Sequence, residues 1–108
     1  MKPFVEFRIS NLGGRTSSTM DAIPFATIDG DNVVIRCPQN SGETINDMIV
    51  WLWGLLNHKR RILKTLQASG ANLTCICKVP RGQVILSPNA SEFLHLTGTT
   101  LLLTAVAA

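Results

Sequence analysis

The sequence predicts an α+β fold in which a mainly antiparallel sheet carries two helices on one face. Short segments with an apolar residue at every second position, the period of a strand, lie on both sides of a long segment with apolar residues at helical spacing. Residues that favour turns separate these segments. The 108 residues fit a single domain spanning 1–108, and an apolar fraction of 45% is enough for a core.

The first third of the chain is predicted to form three strands. Apolar and polar residues alternate over residues 5–9, as in a strand with one buried face. Residues 11–22 are rich in Gly, Ser and Thr, which indicates a mobile loop. Residues 23–28 and 33–37 flank the sequence Asp-Gly-Asp-Asn at 29–32, which is typical of a β-hairpin turn because Gly and Asn tolerate positive φ.

A long helix is predicted over residues 45–69. Thr44 is a suitable N-cap, and Asp47 in the first turn interacts favourably with the helix dipole. Gly70 is a suitable C-terminal stop. One apolar stripe of this helix is predicted to face the sheet, because its members share a side of the helical wheel. They are Met48, Leu52, Leu55, Ile62, Leu63 and Leu66.

The middle of this helix is expected to break. Lys59 would fall in the buried stripe if the helix were straight. Gly54 and Asn57 both have low helix propensity. Either the Lys59 stem extends out to solvent, or the helix kinks or breaks between Gly54 and His58. We expect the break.

The opposite face of the long helix carries an apolar cluster followed by a basic one. These residues are Ile49, Val50 and Trp53, then Arg60, Arg61 and Lys64 one to three turns later, with the polar Asn57 on the same face. Trp and Arg are over-represented among binding hot spots, so the six apolar and basic residues are the candidate partner-binding site. Three alternatives exist for what covers the apolar part: residues 11–22, a second copy of the chain, or a different protein.

The C-terminal third is predicted to contain three strands and a short helix. Residues 73–79 alternate like a strand, a Pro-Arg-Gly turn follows, and residues 83–86 form the next strand. Ser87 caps a helix that begins with proline and covers residues 88–96. The near-continuous apolar run at 99–106 predicts a central strand buried on both faces.

These elements give the order β-β-β-α-β-β-α-β. From residue 33 onward the order is β-α-β-β-α-β, which is that of a ferredoxin-like split unit. We therefore expect both helices to pack against the same face of the sheet.

Charge is unevenly distributed along the chain, although the net charge is only +3. No acidic residue occurs between Asp47 and Glu92. The basic residues in that interval are Lys59, Arg60, Arg61, Lys64, Lys78 and Arg81. Such segregation of charge indicates a positive electrostatic field directed at a binding partner, since the fold itself does not require it.

Composition favours a cytoplasmic protein with no membrane segment. No apolar run approaches the ~20 residues of a bilayer-spanning helix, and the N-terminus lacks the features of a signal peptide. Three cysteines cannot all pair within the chain, and Cys75 and Cys77 lie on one face of the predicted strand, as buried residues do. The sequence contains no second pair of metal-ligating residues at a recognisable spacing. We therefore expect neither a metal nor a cofactor.

Residues with catalytic potential are scattered, which predicts that the protein is not an enzyme. Neither His58 nor His95 has a nucleophile or carboxylate beside it in sequence. Asp29 and Asp31 belong to a segment too short for a calcium loop. The sequence Asn-Leu-Gly-Gly at 11–14 lacks the lysine of a phosphate-binding loop.

Packing and turn residues over residues 52–106 form a recognisable pattern. They are Leu55-Leu56, residues 62–66, Ser69-Gly70, residues 73–79, Leu86-Ser87-Pro88 and Phe93-Leu94. This half of the chain resembles a family of small bacterial proteins of unknown function, some of which are presumed immunity proteins encoded beside polymorphic toxins. The N-terminal part departs from that family, because a predicted hairpin takes the place of its first helix. The resemblance implies binding without catalysis and transfers no functional residue.

We therefore expect a non-catalytic protein-binding module, in particular an immunity or inhibitor protein that neutralises a toxin or another partner protein. Its net basic character favours an acidic partner surface, and self-association is the other use of the apolar cluster. The alternative is a nucleic-acid-binding protein that uses the basic segment 59–81. The predicted strand at 73–79 lacks the aromatic residues that stack on bases, which counts against that alternative.

Overall fold

The structure is a computed structural model that describes residues 3–79 and 84–105. Five strands and four α-helices are described, together with 3₁₀ turns at Gln39–Ser41 and Asn57–Lys59. In chain order the elements are β1 (Phe4–Ser10), α1 (Thr16–Ala22), β2 (Thr27–Asp29), β3 (Asn32–Arg36), α2 (Ile45–Leu56), α3 (Arg60–Ala68), β4 (Asn72–Val79), α4 (Pro88–Thr97) and β5 (Thr100–Ala105). The predicted α+β class is confirmed.

The five strands form one mixed sheet in the order β2-β3-β1-β4-β5. β1 pairs antiparallel with both β3 and β4, and β2 pairs antiparallel with β3. β4 and β5 are parallel, joined through α4. The β1 register places Phe7 opposite both Ile35 and Cys75, so each row of side chains continues across three strands.

The hydrophobic core lies between one face of this sheet and the helices. Alternate residues of the three inner strands contribute to it: Val5, Phe7, Ile9, Val33, Ile35, Leu73, Cys75 and Cys77. Residues of α2, α3 and α4 complete the cluster, while Leu12 and Ile23 enter it on either side of α1. The other face of the sheet has no helix packed on it in the described part of the chain and carries polar and charged side chains such as Glu6, Arg8 and Arg36.

Helix boundaries follow the capping residues in the sequence. The Thr44 hydroxyl oxygen accepts a hydrogen bond from the Asp47 amide at 3.1 Å, which confirms the predicted start of α2. Ser87 caps α4, and Gly98 ends it in the left-handed region with φ 65°. The Asn46 side-chain oxygen accepts a 2.7 Å hydrogen bond from the Ser87 amide, so the first turn of α2 fixes the position where α4 begins.

The expected break in the long helix is confirmed. α2 ends at Leu56, a 3₁₀ turn follows, and α3 begins at Arg60. Lys59 has φ −110° and ψ 11°, outside the helical range, and its side chain is half-buried. The change of axis lets α3 bury Leu63 and Leu66 without burying the Lys59 charge.

The prediction of a mobile loop at residues 11–22 is wrong over its second half, which forms α1. The short helix buries Thr19 and is flanked by the buried residues Leu12 and Ile23. This tertiary packing outweighs the weak helix propensity of Ser and Thr. The hairpin strand predicted at 23–28 is also shorter than expected, since β2 covers only Thr27–Asp29 and Phe25 has a positive φ of 61°.

The C-terminal topology differs from the prediction. Residues 84–86 are not in a strand, whereas the turn at 80–82 and Gln83 lie outside the described residues. Among the described residues, α4 is the only regular element between β4 and β5, and they do not form the ferredoxin-like split unit. The final strand is at the edge of the sheet, not at its centre, because a helical crossover delivers it parallel to the outer side of β4.

None of the helices in residues 3–79 and 84–105 combines the length and hydropathy needed to cross a bilayer.

Candidate partner-binding surface

The apolar half of the predicted site does not form an exposed patch. Ile49 is fully buried in the core, so its predicted place on a surface is wrong. Val50 and Trp53 are half-buried and pack against the core. The Trp53 ring lies 5.5 Å from the ring of Phe93 in α4, at an interplanar angle of 45°.

The packing of α4 against α2 explains this burial. The fully buried residues of α2 are Ile45, Met48, Ile49, Leu52 and Leu56. On the helical wheel, the middle of this buried stripe is shifted from Met48 toward Ile49, which lies about 100° around the helix from Met48. The sheet buries one side of α2 and α4 buries the adjoining side, so the apolar stripe is wider than one facing the sheet alone.

The N-terminal segment covers a different part of α2 from the one predicted. Phe25, just after α1, makes an edge-to-face contact with Trp51 at 5.6 Å between ring centroids. The contact with Trp53 comes from α4 instead. Phe25 itself remains 68% exposed.

The basic half of the predicted site does form a surface. A depression of about 570 Å³ opens where α2 gives way to α3, next to the end of α4. Its lining residues are Asn57, His58, Arg60, Arg61, Lys64 and Leu96. We call this site the basic pocket. Arg60, Arg61 and Lys64 are all exposed, so their charged groups are available to a partner.

No acidic side chain of the described residues forms an ion pair with a cation of the basic pocket. The ion pairs of the described residues involve only Glu6, Arg8, Asp29 and Arg36, which form one network on the helix-free face of the sheet. Three neighbouring cations without such a pair create a positive potential that favours an anionic ligand.

The position of Arg60 is fixed by an aromatic contact. Its guanidinium carbon lies 5.8 Å from the centroid of the Trp53 ring, within the range of a cation–π interaction. Trp53 is in turn held against Phe93. One wall of the basic pocket is therefore anchored to the packing between α2 and α4.

The basic segment 59–81 does not form one surface. Lys78 belongs to β4, and its ammonium lies 5.2 Å from the centroid of the Phe4 ring on the helix-free face of the sheet. Lys59 is half-buried in the 3₁₀ turn, and Arg81 lies outside the described residues. Among the described basic residues of this segment, only Arg60, Arg61 and Lys64 come together.

Asn57, His58 and Leu96 also line the basic pocket, although we did not predict them as site residues. A signal for the first two was present, since the expected helix break exposes the residues beside it. Leu96 carries no such signal, because its place in the pocket depends on how α4 packs.

The three cysteines are buried in the core, apart from this surface. Burial, followed by repulsion from Cys77, raises the pKa of Cys37 to about 12. The Cys75 and Cys77 sulfurs are 3.9 Å apart, and their hydrogen bond together with burial raises the pKa of Cys75. Among the described residues, no three His, Cys, Asp or Glu side chains come close enough to hold a metal ion.

Comparisons with known proteins do not assign the chain to a group. No protein-family model matches it, and neither a characterised protein nor a solved structure is significantly similar to it. Functional inference therefore depends on the geometry of the basic pocket.

Proposed function

We propose that this chain is a non-catalytic binding protein that docks an acidic segment of a partner protein into the basic pocket. The observation that carries the proposal is the convergence of Arg60, Arg61 and Lys64 on one depression, where none of them forms an ion pair with another described residue. Carboxylates entering this site would form charge-assisted hydrogen bonds with the two guanidinium groups. Their arrival would also relieve the mutual repulsion of the three cations.

The shape and lining of the pocket favour a protein ligand. Leu96 supplies an apolar surface among the cations, and the half-buried Trp53 lies under Arg60. An apolar base surrounded by charged groups is common at the centre of protein interfaces. An extended peptide with two or three acidic side chains and one apolar side chain would complement this arrangement.

The resemblance of residues 52–106 to presumed immunity proteins supports a narrower form of the proposal, in which the partner is a toxin. The basic pocket would then cover an acidic part of that toxin, such as a carboxylate-containing active site. Expression of the protein encoded next to this chain, with and without the chain, tests that form. We expect the neighbouring protein alone to stop growth and co-expression of this chain to restore it. The Arg61→Glu variant should fail to restore growth.

The test of the general proposal uses tryptophan fluorescence, to which Trp51 and Trp53 both contribute, and a hexaglutamate peptide. We expect saturable binding to the native chain and at least a tenfold weaker affinity for Arg61→Glu. Lys78→Glu is the matched control, because it makes the same kind of charge change on the helix-free face. Equal weakening by the control would show non-specific attraction to a basic protein and contradict the proposal.

Nucleic-acid binding is the second candidate function, favoured by the same unpaired cations. A phosphate backbone meeting three of them releases about three counterions, so log K would fall with log salt at a slope of roughly −2 to −3. Gel shifts with single-stranded and duplex DNA and RNA at low salt test this candidate. A shift that Arg61→Glu removes and Lys78→Glu retains would support it, and absence of any shift would eliminate it.

A further inference from the structure

The strand β5 leaves one edge of the sheet open. Its inner side pairs with β4, and no strand of the described residues pairs with its outer side. Leu102 is 50% exposed and Leu103 is 46% exposed. The strand contains no charged residue and no proline, which are the usual means of preventing an edge from pairing with another chain.

The other edge of the sheet is shorter and carries a charge. β2 has only three residues, and its Asp29 belongs to the ion network with Arg8 and Arg36. A short, charged edge is a poor template for strand addition. Pairing with another chain is therefore directed to β5.

The sequence of β5 reads the same in both directions about Leu102. It is Thr-Leu-Leu-Leu-Thr over residues 100–104. In an antiparallel pair of identical strands centred on this residue, each residue meets a chemically identical one. Such self-complementarity is what a two-fold interface between copies of one chain requires.

We propose that β5 pairs antiparallel with β5 of a second copy of this chain, with the two-fold axis at Leu102. The two five-stranded sheets would then join into one sheet of ten strands. The proposal concerns a surface separate from the basic pocket and does not depend on the proposed function.

The pairing would place identical residue types opposite each other on both faces of the joined sheet. On the helix-free face Leu102 meets Leu102 of the second copy, and Thr100 meets Thr104 on each side of it. On the helix side Leu101 meets Leu103. Apolar and Thr–Thr cross-strand pairs both stabilise antiparallel strands.

The buried area sets the strength of this dimer. Six-residue strands pair over about 20 Å, and a strip of that length across the ~10 Å thickness of a sheet buries on the order of 400 Å² in total. Stable interfaces bury at least about 1,200 Å². The dimer is therefore weak and depends on concentration, unlike a permanent dimer that forms a common core.

Sedimentation velocity over a concentration series up to about 1 mM, a range suited to a weak complex, tests the proposal. We expect reversible dimer formation by the native chain and at least a tenfold weaker association for Leu102→Lys, which brings two like charges together on the axis. Ile85→Lys is the matched control, because Ile85 is 74% exposed and outside β5. Circular dichroism verifies that both variants remain folded.

Disulfide formation tests the register and stays informative if Leu102→Lys does not fold. Leu102→Cys should cross-link two copies under mild oxidation, because the two thiols are directly opposite. Leu103→Cys should cross-link poorly, since the two introduced cysteines are then diagonal neighbours about 7–8 Å apart. The buried native cysteines do not compete.

A chain that remains monomeric at every concentration would overturn the proposal. So would a dimer that Leu102→Lys leaves intact, or equal cross-linking through positions 102 and 103. Failure of the hexaglutamate test would leave this proposal unaffected, because none of the residues of β5 lines the basic pocket.

Discussion

The guanidinium carbon of Arg60 lies 5.8 Å from the centroid of the Trp53 ring. Arg60 is exposed and lines the basic pocket, whereas Trp53 is half-buried and packs on Phe93. The pair therefore joins the interior of the protein to its candidate binding surface. Substitutions at the two positions should have different consequences.

Trp53→Ala should destabilise the fold far more than Arg60→Ala. Loss of the indole ring leaves a cavity between α2 and α4, and we expect the free energy of unfolding to fall by about 2–4 kcal/mol. Arg60→Ala removes one exposed cation–π contact and should cost less than about 1 kcal/mol. Urea denaturation measures both values. A comparable loss for the two variants would contradict the assignment of Trp53 to the packing between the helices.

Gly54→Ala should stabilise the protein. Gly54 is exposed within α2, and a Cβ atom there would meet no other atom within 4 Å. Alanine in a helix interior is favoured over glycine by up to about 1 kcal/mol, so thermal unfolding should show a higher Tm. Gly98→Ala is the opposite case, because Gly98 has φ +65° and a Cβ would lie 2.9 Å from Gln67 Nε2. It should lower the Tm.

Glu6→Ala should destabilise the sheet. Glu6 is 4% exposed, and its carboxylate accepts 3.0 Å hydrogen bonds from the Nε groups of Arg8 and Arg36. Its removal leaves the guanidinium groups of the half-buried Arg8 and the exposed Arg36 without this partner, and we expect a cost of about 1–3 kcal/mol. Glu43→Ala, at an exposed residue outside the ion network, is the control and should change stability by less than about 0.5 kcal/mol.

Stability should decrease as the pH rises above about 9. Burial raises the pKa of Cys37 from its ordinary value near 9 to about 12, so the unfolded chain loses this proton first. The contribution of the neutral thiol is complete below pH 9 and is lost as the pH approaches 12. Urea denaturation from about pH 8 to about pH 11 should show a shallower decrease for Cys37→Ala. An identical decrease in both proteins would show that Cys37 is not responsible.

Local features of the fold followed from the sequence. The alternation at residues 5–9 and 73–79 predicted β1 and β4, because the period of a strand is set by the backbone. The caps Thr44 and Ser87 predicted where α2 and α4 begin, since the capping bond lies within one turn. Lys59 indicated the helix break because a charge cannot remain in an apolar stripe.

The candidate site was predictable only in part. Arg60, Arg61 and Lys64 are close in sequence, so helix geometry alone placed them together. The sequence alone predicts an exposed Ile49, because it does not reveal that α4 packs on that side of α2. Leu96 entered the pocket through the same long-range contact.

The sequence by itself determined the class of the fold, the starts of its principal helices, the helix break and the clustering of three cations, because each depends on residues within a few turns of one another. The tertiary structure decided which faces are buried and the order of the strands. It placed β5 at an exposed edge rather than at the centre, since that depends on pairing between residues distant in the chain. Such pairing depends on the packing of the whole chain, which local patterns do not specify.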